Sequence, residues 1–233
     1  MTTQSFAEIL EACTQRCREM DAPLADRLNA LANDVRRLDP SFAEIVDRMV
    51  SRLQQINAGT SAPSGGDPIP LFVLPDETGR LVALVQLLER GPVVMSFHRG
   101  HWCPYCRISA DALARIEPEV RAAGAQIVAI TPEVQRFTSE LKSDARATFP
   151  VLTDLDSGYA LELQLAIKID EEKRMAMTRA GWDISAFQDN ENWTLPIPAT
   201  FVVGADGSVK ARFVDPDYRK RMDVDDILAA LRT

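Results

Sequence analysis

Phe97-His98-Arg99-Gly100-His101-Trp102-Cys103-Pro104-Tyr105-Cys106 is the stretch on which the reading of this chain turns. Residues 92–97 before it form a continuous apolar run, which suits a strand buried on both faces. Residues 104–123 after it read as a helix stopped by Gly124. The cysteine pair therefore sits at a strand-to-helix junction. There the unpaired amides and dipole of the helix start favour negative charge on Cys103. A thiolate is the reactive form of cysteine, so a lowered pKa enlarges the nucleophilic fraction. Pro104 costs nothing at the first helical position, where its missing amide would have no partner. Cys106 lies one turn deeper, placed to attack a mixed disulfide on Cys103 at high effective concentration.

Strands and helices alternate outward from this point. Residues 71–74 read as a short strand, Thr78-Gly79 as a turn, and 82–88 as a helix. Residues 126–130 form a second buried strand. Thr131 is placed to cap a helix with Pro132 at its first position. Residues 149–152 read as a strand and 158–166 as a helix. Residues 200–203 and 209–214 form a hairpin around Ala205-Asp206-Gly207, and 224–231 close the chain as a helix. This order implies an α/β fold with a central mixed sheet flanked by helices. Residues 169–195, with Trp182, Trp193 and the polar run 188–192, look inserted. They are placed to wall the site or meet another subunit.

The first part of the chain is helical by apolar spacing. Phe6, Ile9, Leu10, Cys13, Cys17 and Met20 make one stripe. Leu24, Leu28, Leu31, Val35 and Leu38 make a heptad-like seam. Phe42, Ile45, Val46, Met49, Leu53 and Ile56 make a third, with Asp39-Pro40 between the last two. Ser-Phe-Ala-Glu-Ile occurs at Ser5 and again at Ser41, and each copy reads as a capping box closed by Glu8 or Glu44. Gly59-Thr-Ser-Ala-Pro-Ser-Gly-Gly66 favours turns and flexible chain. The expected organisation is a helical region (1–58), a linker (59–66) and a redox domain (67–233). The helices are expected to cover that domain or to pair two copies as a homodimer. Cys13 and Cys17 are four apart on one helix, ~5–6 Å between Cβ atoms against ~3.8 Å for a relaxed disulfide, so both are expected at core positions.

With 26 basic and 34 acidic residues, net charge −8, the chain lacks the footprint of a nucleic-acid binder or of a binder of anionic membrane. No apolar run approaches the ~20 residues that span a bilayer. The N-terminus carries Glu8, Glu11, Arg16 and Arg18 and has no signal-peptide core. A cytoplasmic location follows as the expectation. In that reducing setting the four cysteines are expected to be catalytic, metal-binding or buried. His98, His101, Cys103 and Cys106 can be written as four zinc ligands. Their split between strand end and helix, with no second Cys-x-x-C pair, argues against it, and no metal or cofactor is expected.

Trp102-Cys103-Pro104-Tyr105-Cys106 resembles the active-site motif of thioredoxins and glutaredoxins. Pro70-Leu-Phe-Val-Leu-Pro75, Pro92-Val-Val-Met-Ser-Phe97, Phe149-Pro-Val-Leu-Thr-Asp154 and Pro198-Ala-Thr-Phe-Val-Val203 resemble phrases of the alkyl hydroperoxide reductase/thiol-specific antioxidant (AhpC/TSA) family, the peroxiredoxins. The resemblance covers roughly residues 66–233. It implies a thioredoxin-like fold, with Cys103 as attacking cysteine and Cys106 as resolving cysteine. It places Pro198, just before Ala199 and Thr200, where such folds have a cis-proline facing the thiols. It implies a hydroperoxide or disulfide substrate, and a thioredoxin-like or low-molecular-weight thiol as reductant.

Departures from the family pattern fall at the site itself. Peroxiredoxins place proline seven residues and threonine or serine three residues before the attacking cysteine. Ser96 and Gly100 stand there, and Pro198 takes the approximate place of a late-strand arginine. Arg99 is the candidate replacement cation, and His98 or His101 the candidate proton donor. Trp102 and Tyr105 complete the expected site. Peroxide reduction is the leading reading. A disulfide reductase without peroxidase activity and a redox-sensing interaction protein are the alternatives.

Overall fold

The computed structural model describes residues 6–232. Three helices come first: α1 (Phe6–Glu19), α2 (Leu24–Leu38) and α3 (Pro40–Gln55). The heptad-like seam of α2 turns inward, with Leu24, Leu28, Leu31 and Val35 all buried. The start of α3 differs from the expected capping box. Asp39 is the cap and accepts from the Phe42 amide at 2.9 Å, while Pro40 fills the first helical position. Ser41 is already inside the helix and its hydroxyl donates to Asp39. Proline decides this, because it fits the first turn and leaves the preceding residue to cap. The box expected at Ser5 lies outside the described residues.

The three helices pack on their own chain. Buried Arg27 pairs with Asp111 at 2.9 Å, buried Arg18 with Asp144 at 2.7 Å, and Glu11 with Arg107 at 2.5 Å. Residues 59–66 then run along one edge of the sheet. There the Gly66 amide donates to Val209 O and Arg212 donates to Ala62 O and Pro63 O.

Next comes a small hairpin, β1 (Val73–Pro75) and β2 (Leu81–Ala83), then α4 (Leu84–Leu88). The expected helix over 82–88 thus begins two residues late, since Val82 and Ala83 pair with β1. Buried Asp76 closes the hairpin. It accepts from the Thr78 amide and hydroxyl and from the Arg80 amide and guanidinium, at 2.6–3.0 Å. Burial opposes its charge, but these donors prevail and hold its pKa at about 2, below the ordinary 3.8. A carboxylate so lowered stabilises the fold fully above 3.8, and that stability is lost as pH falls toward 2. Asp76→Asn is expected to cost about 2 kcal/mol at pH 7 and almost nothing near pH 2, read from urea midpoints at the two pH values.

The remaining elements are β3 (Val93–Phe97), α5 (Pro104–Ala122), β4 (Gln126–Thr131), α6 (Gln135–Ala145), β5 (Val151–Thr153), a 3-10 turn (Leu155–Ser157), α7 (Gly158–Glu162), β6 (Ala166–Lys168), α8 (Glu171–Arg179), α9 (Ile184–Gln188), β7 (Thr194–Pro196), β8 (Ala199–Val203), β9 (Val209–Val214) and α10 (Val224–Leu231). Five strands form the central sheet in the order β5-β4-β3-β8-β9, parallel from β5 to β3 and antiparallel from β3 to β9. Period-two alternation splits β3 between two cores. Val93, Met95 and Phe97 face Leu84, Leu152 and Phe201, while Val94 faces Ala110, Leu113 and Ile227. The mixed sheet between helical layers is the expected α/β, thioredoxin-like architecture.

Two expected boundaries move. No helix starts at Thr131, which ends β4 opposite Thr153. Its hydroxyl accepts from the Glu133 amide at 3.0 Å, and α6 begins only at Gln135. The helix expected over 158–166 stops at Glu162, because Ala166 opens β6 against Pro196. A third apolar core joins Leu10, Leu28, Leu31 and Phe42 of the N-terminal helices to Trp102, Cys103, Met177 and Trp193. The inserted segment thus walls the cysteine junction, with the first three helices as its roof.

Candidate active site

The site grows from the end of β3. The His98 amide donates to Ile130 O at 2.8 Å, carrying the ladder one residue further. The backbone then reverses at Gly100, whose φ is +144°. A Cβ there would lie 2.5 Å from Trp102 Nε1 and 2.6 Å from the Glu133 carboxylate, so only glycine fits. The turn delivers Cys103 as N-cap of α5, followed by Pro104 at the first helical position. Cys106 follows one turn in, its amide on Cys103 O at 3.0 Å. Both thiols are free and buried, Cys103 at 1% and Cys106 at 0% exposure.

Hydrogen-bond donors gather on Cys106. Its sulfur accepts from the Arg99 amide at 3.2 Å and from Arg221 Nη2 at 3.3 Å. The Arg221 guanidinium is itself held by Tyr218 O and Lys220 O. Burial disfavours a charge on Cys106, yet the Cys103 thiol, Arg221 and His98 bring its pKa well below the ordinary thiol value. Burial pushes Cys103 well above that value, and Cys106 adds to the effect despite Arg99 and Arg221. This reverses the expected acidity. The helix start does not make Cys103 the acidic partner, because the Arg221 guanidinium and the Arg99 amide converge on Cys106, one turn deeper.

The other expected residues divide into two groups. Arg99 lies beside the thiols, its guanidinium 3.9 Å from the Tyr218 ring centre and 4.9 Å from that of Trp102. Tyr105 meets Tyr218 edge to face at 5.6 Å. Burial lifts the Tyr218 hydroxyl to about 12. His98 is buried, with Nε2 3.0 Å from Ser96 Oγ and Nδ1 without a hydrogen-bond partner among the described residues. His101 turns elsewhere. Its Nδ1 and backbone amide both meet the Glu133 carboxylate at 2.7 Å, and its ring stacks on Phe137.

Pro198 departs from expectation. Among the described residues no peptide bond is cis, so the Ile197–Pro198 bond is trans. Pro198 is buried on a continuous extended path, because Ile197 already donates to Leu165 O and Ala199 already pairs with Phe97. The Ile197 amide is therefore not free for substrate pairing. The register still sets Thr200 opposite Ser96.

In front of Cys103 is a small, partly open cavity. Its walls include Arg99, Tyr218, Phe42, Trp182 and Lys173, and it leaves about 20 Å³ for a water-sized particle, room for a single water. Cys103 borders this space and Cys106 does not.

These features stand in a chain whose residues 65–212 match the AhpC/TSA family. The chain belongs to the AhpC/TSA family. Over 97 residues it is 30% identical to a Mycobacterium tuberculosis protein provisionally designated a peroxiredoxin. The match covers 42% of this chain and 63% of that one, so the chain spans under two thirds of this relative's length. A Salmo salar prostamide/prostaglandin F synthase is 35% identical over 66 residues, 28% of this chain and 33% of that protein. Among solved structures, peroxidoxin BcpB of Mycobacterium tuberculosis superposes with TM-score 0.57 at 24% identity, covering 73% of this chain and 97% of that one. Mycobacterium tuberculosis AhpC gives 0.54 at 13% identity, covering 73% and 92%. Both show a shared fold.

Four residues of this AhpC/TSA chain reach the site without having been singled out in its sequence: Glu133, Lys173, Tyr218 and Arg221. Glu133 had a usable signal, because it follows the carboxyl end of the strand beside β3, where sites in α/β sheets form. Lys173 had none. It sits in Glu171-Glu172-Lys173-Arg174, a run that reads as solvent-facing helix, yet it is 1% exposed.

Proposed function

We propose that this chain is a thiol-dependent peroxidase in which Cys103 attacks the peroxide and Cys106 resolves it. Cys103 borders the cavity and Cys106 lies behind it, and this arrangement carries the assignment of roles. Attack by Cys103 sulfur on one peroxide oxygen breaks the O–O bond. The sulfur becomes a sulfenic acid and the other oxygen leaves as the alcohol or water. The Cys106 thiolate then displaces hydroxide from that sulfenic acid, which leaves as water on protonation, and a Cys103–Cys106 disulfide remains. An external dithiol of the thioredoxin type resets the pair by exchange. Arg99 supplies positive charge where oxygen departs, the role left open by Gly100 and Pro198.

Disulfide reduction is the second reading, favoured by the stabilised Cys106 thiolate, a good leaving group in exchange. The burial of Cys103 places peroxide first, since a peroxide is small and a protein disulfide needs the sulfur at the surface. Rapid mixing of reduced protein with hydrogen peroxide separates the two. The expected result is loss of one peroxide per chain, with a fluorescence change from Trp102, far faster than free cysteine. A rate no better than free cysteine, with efficient reduction of insulin disulfides, would transfer the assignment to the second reading.

A further inference from the structure

Lys173 is a buried amine with no hydrogen-bond partner among the described residues. Its Nζ stands 3.5 Å from the Phe42 ring centre and 5.8 Å from that of Tyr218, on the wall of the cavity bordered by Cys103. Burying an amine without a hydrogen bond disfavours the fold, so its place on this wall calls for a use. From this geometry we infer that Lys173 is a catalytic residue that carries the Cys103 proton to the oxygen leaving the peroxide. The inference rests on the peroxidase reading.

The step balances. As Cys103 sulfur bonds to the near peroxide oxygen, its S–H bond breaks and Lys173 Nζ takes the proton. The O–O bond breaks with its electron pair on the far oxygen, and the new ammonium returns the proton there. Sulfur is oxidised to sulfenic acid, peroxide is reduced to alcohol or water, and Lys173 ends as it began. Cys106 remains a thiolate throughout, ready to resolve. Concerted transfer keeps two full charges from forming on adjacent sulfurs.

The surroundings suit an amine that gains a proton only briefly. Facing it are Arg99 and Cys103 from the motif, Asp170 at the start of its own helix, and Arg219 before α10. Asp170 is engaged by Arg52 of α3, and Arg219 by Asp47 and Asp217. Burial first, then Arg99, brings the Lys173 pKa well below the ordinary lysine value. A lowered pKa favours the neutral amine that this role requires.

Hydrogen peroxide in single-turnover mixing is the probe. Lys173→Met is expected to keep the near-ultraviolet spectrum of the buried tryptophans and to slow the burst about 100-fold. It should also lose the limb of the pH–rate profile that belongs to the amine. Added methylamine should restore part of the rate in Lys173→Ala, a response that a merely structural lysine would not give. In the wild type, ¹⁵N-lysine NMR should show Lys173 as the neutral amine at pH 7. A Lys173→Met burst within twofold of wild type, or Lys173→Ala unmoved by methylamine, overturns the inference alone, as does an ammonium signal at pH 7. A wild type inert to peroxide overturns the peroxidase reading together with it.

Discussion

Cys103→Ser is expected to lower peroxide consumption more than about 1000-fold, because a serine oxygen, unlike sulfur, is not oxidised by a peroxide and has no counterpart of the sulfenic acid. Cys106→Ser should behave differently. It should still consume one peroxide per chain, stop there, and accumulate a sulfenic acid that a dimedone-type reagent traps. The contrast follows from placement, since Cys103 borders the cavity and Cys106 lies behind it. Intact-mass spectra after one equivalent of peroxide check it. Wild type should lose two hydrogens, Cys106→Ser should gain one oxygen, and Cys103→Ser should stay unchanged. Oxygen gained by Cys103→Ser would exchange the roles of the two sulfurs.

Arg221→Met is expected to have the next largest effect. The guanidinium donates to Cys106 sulfur at 3.3 Å from a buried position and adds a full positive charge beside it. A hydrogen bond to a buried charged group is worth ~1.5–3 kcal/mol, so formation of the disulfide from sulfenic acid should slow roughly tenfold to hundredfold. The thiolate absorbance near 240 nm should titrate at higher pH than in the wild type. The sign follows from the charge: loss of a cation raises the pKa of the thiol it faced, so less thiolate exists at neutral pH. The first step, at Cys103, should change less than resolution does. An unchanged titration would show that the Cys103 thiol and the Arg99 backbone amide suffice to hold the anion.

How far the fold and site were legible depends on where each residue sits along the chain. The strand–turn–helix around Cys103 is local. An apolar run, a glycine, a proline at the first helical position and a cysteine one turn on all point to one geometry, and the structure has it. The groups that set the charge of the pair are not local. Arg221 arrives from the approach to α10, within Arg219-Lys220-Arg221, where nothing distinguishes the one buried cation from its exposed-looking neighbours. Lys173 hides in the same way on α8. The inverted acidity of the cysteines follows, because the helix-start argument sees Cys103 and its amides but not the cation that arrives from 115 residues away. Pro198 misled for a complementary reason. A short phrase marked its place in the sheet correctly, while the peptide bond before it answers to strands on both sides. Ser41 lost its expected capping place because Pro40 takes the first helical position, while Thr131 stays in β4 opposite Thr153 and α6 starts later, at Gln135.

The arginine–carboxylate pairs that pin the first three helices have a consequence for turnover. A hydrogen peroxide molecule is only one oxygen larger than the water that fits the cavity and needs a slight widening of its walls, but the dithiol that regenerates the enzyme is itself a folded protein in the proposed cycle. It cannot touch a sulfur buried beneath Phe42 and Trp182. Each catalytic round would then contain a breathing step in which that helical cover parts and settles again. The clasps Arg18–Asp144, Arg27–Asp111 and Arg107–Glu11 would act as its latch, trading protection of the sulfenic acid against the pace of recycling.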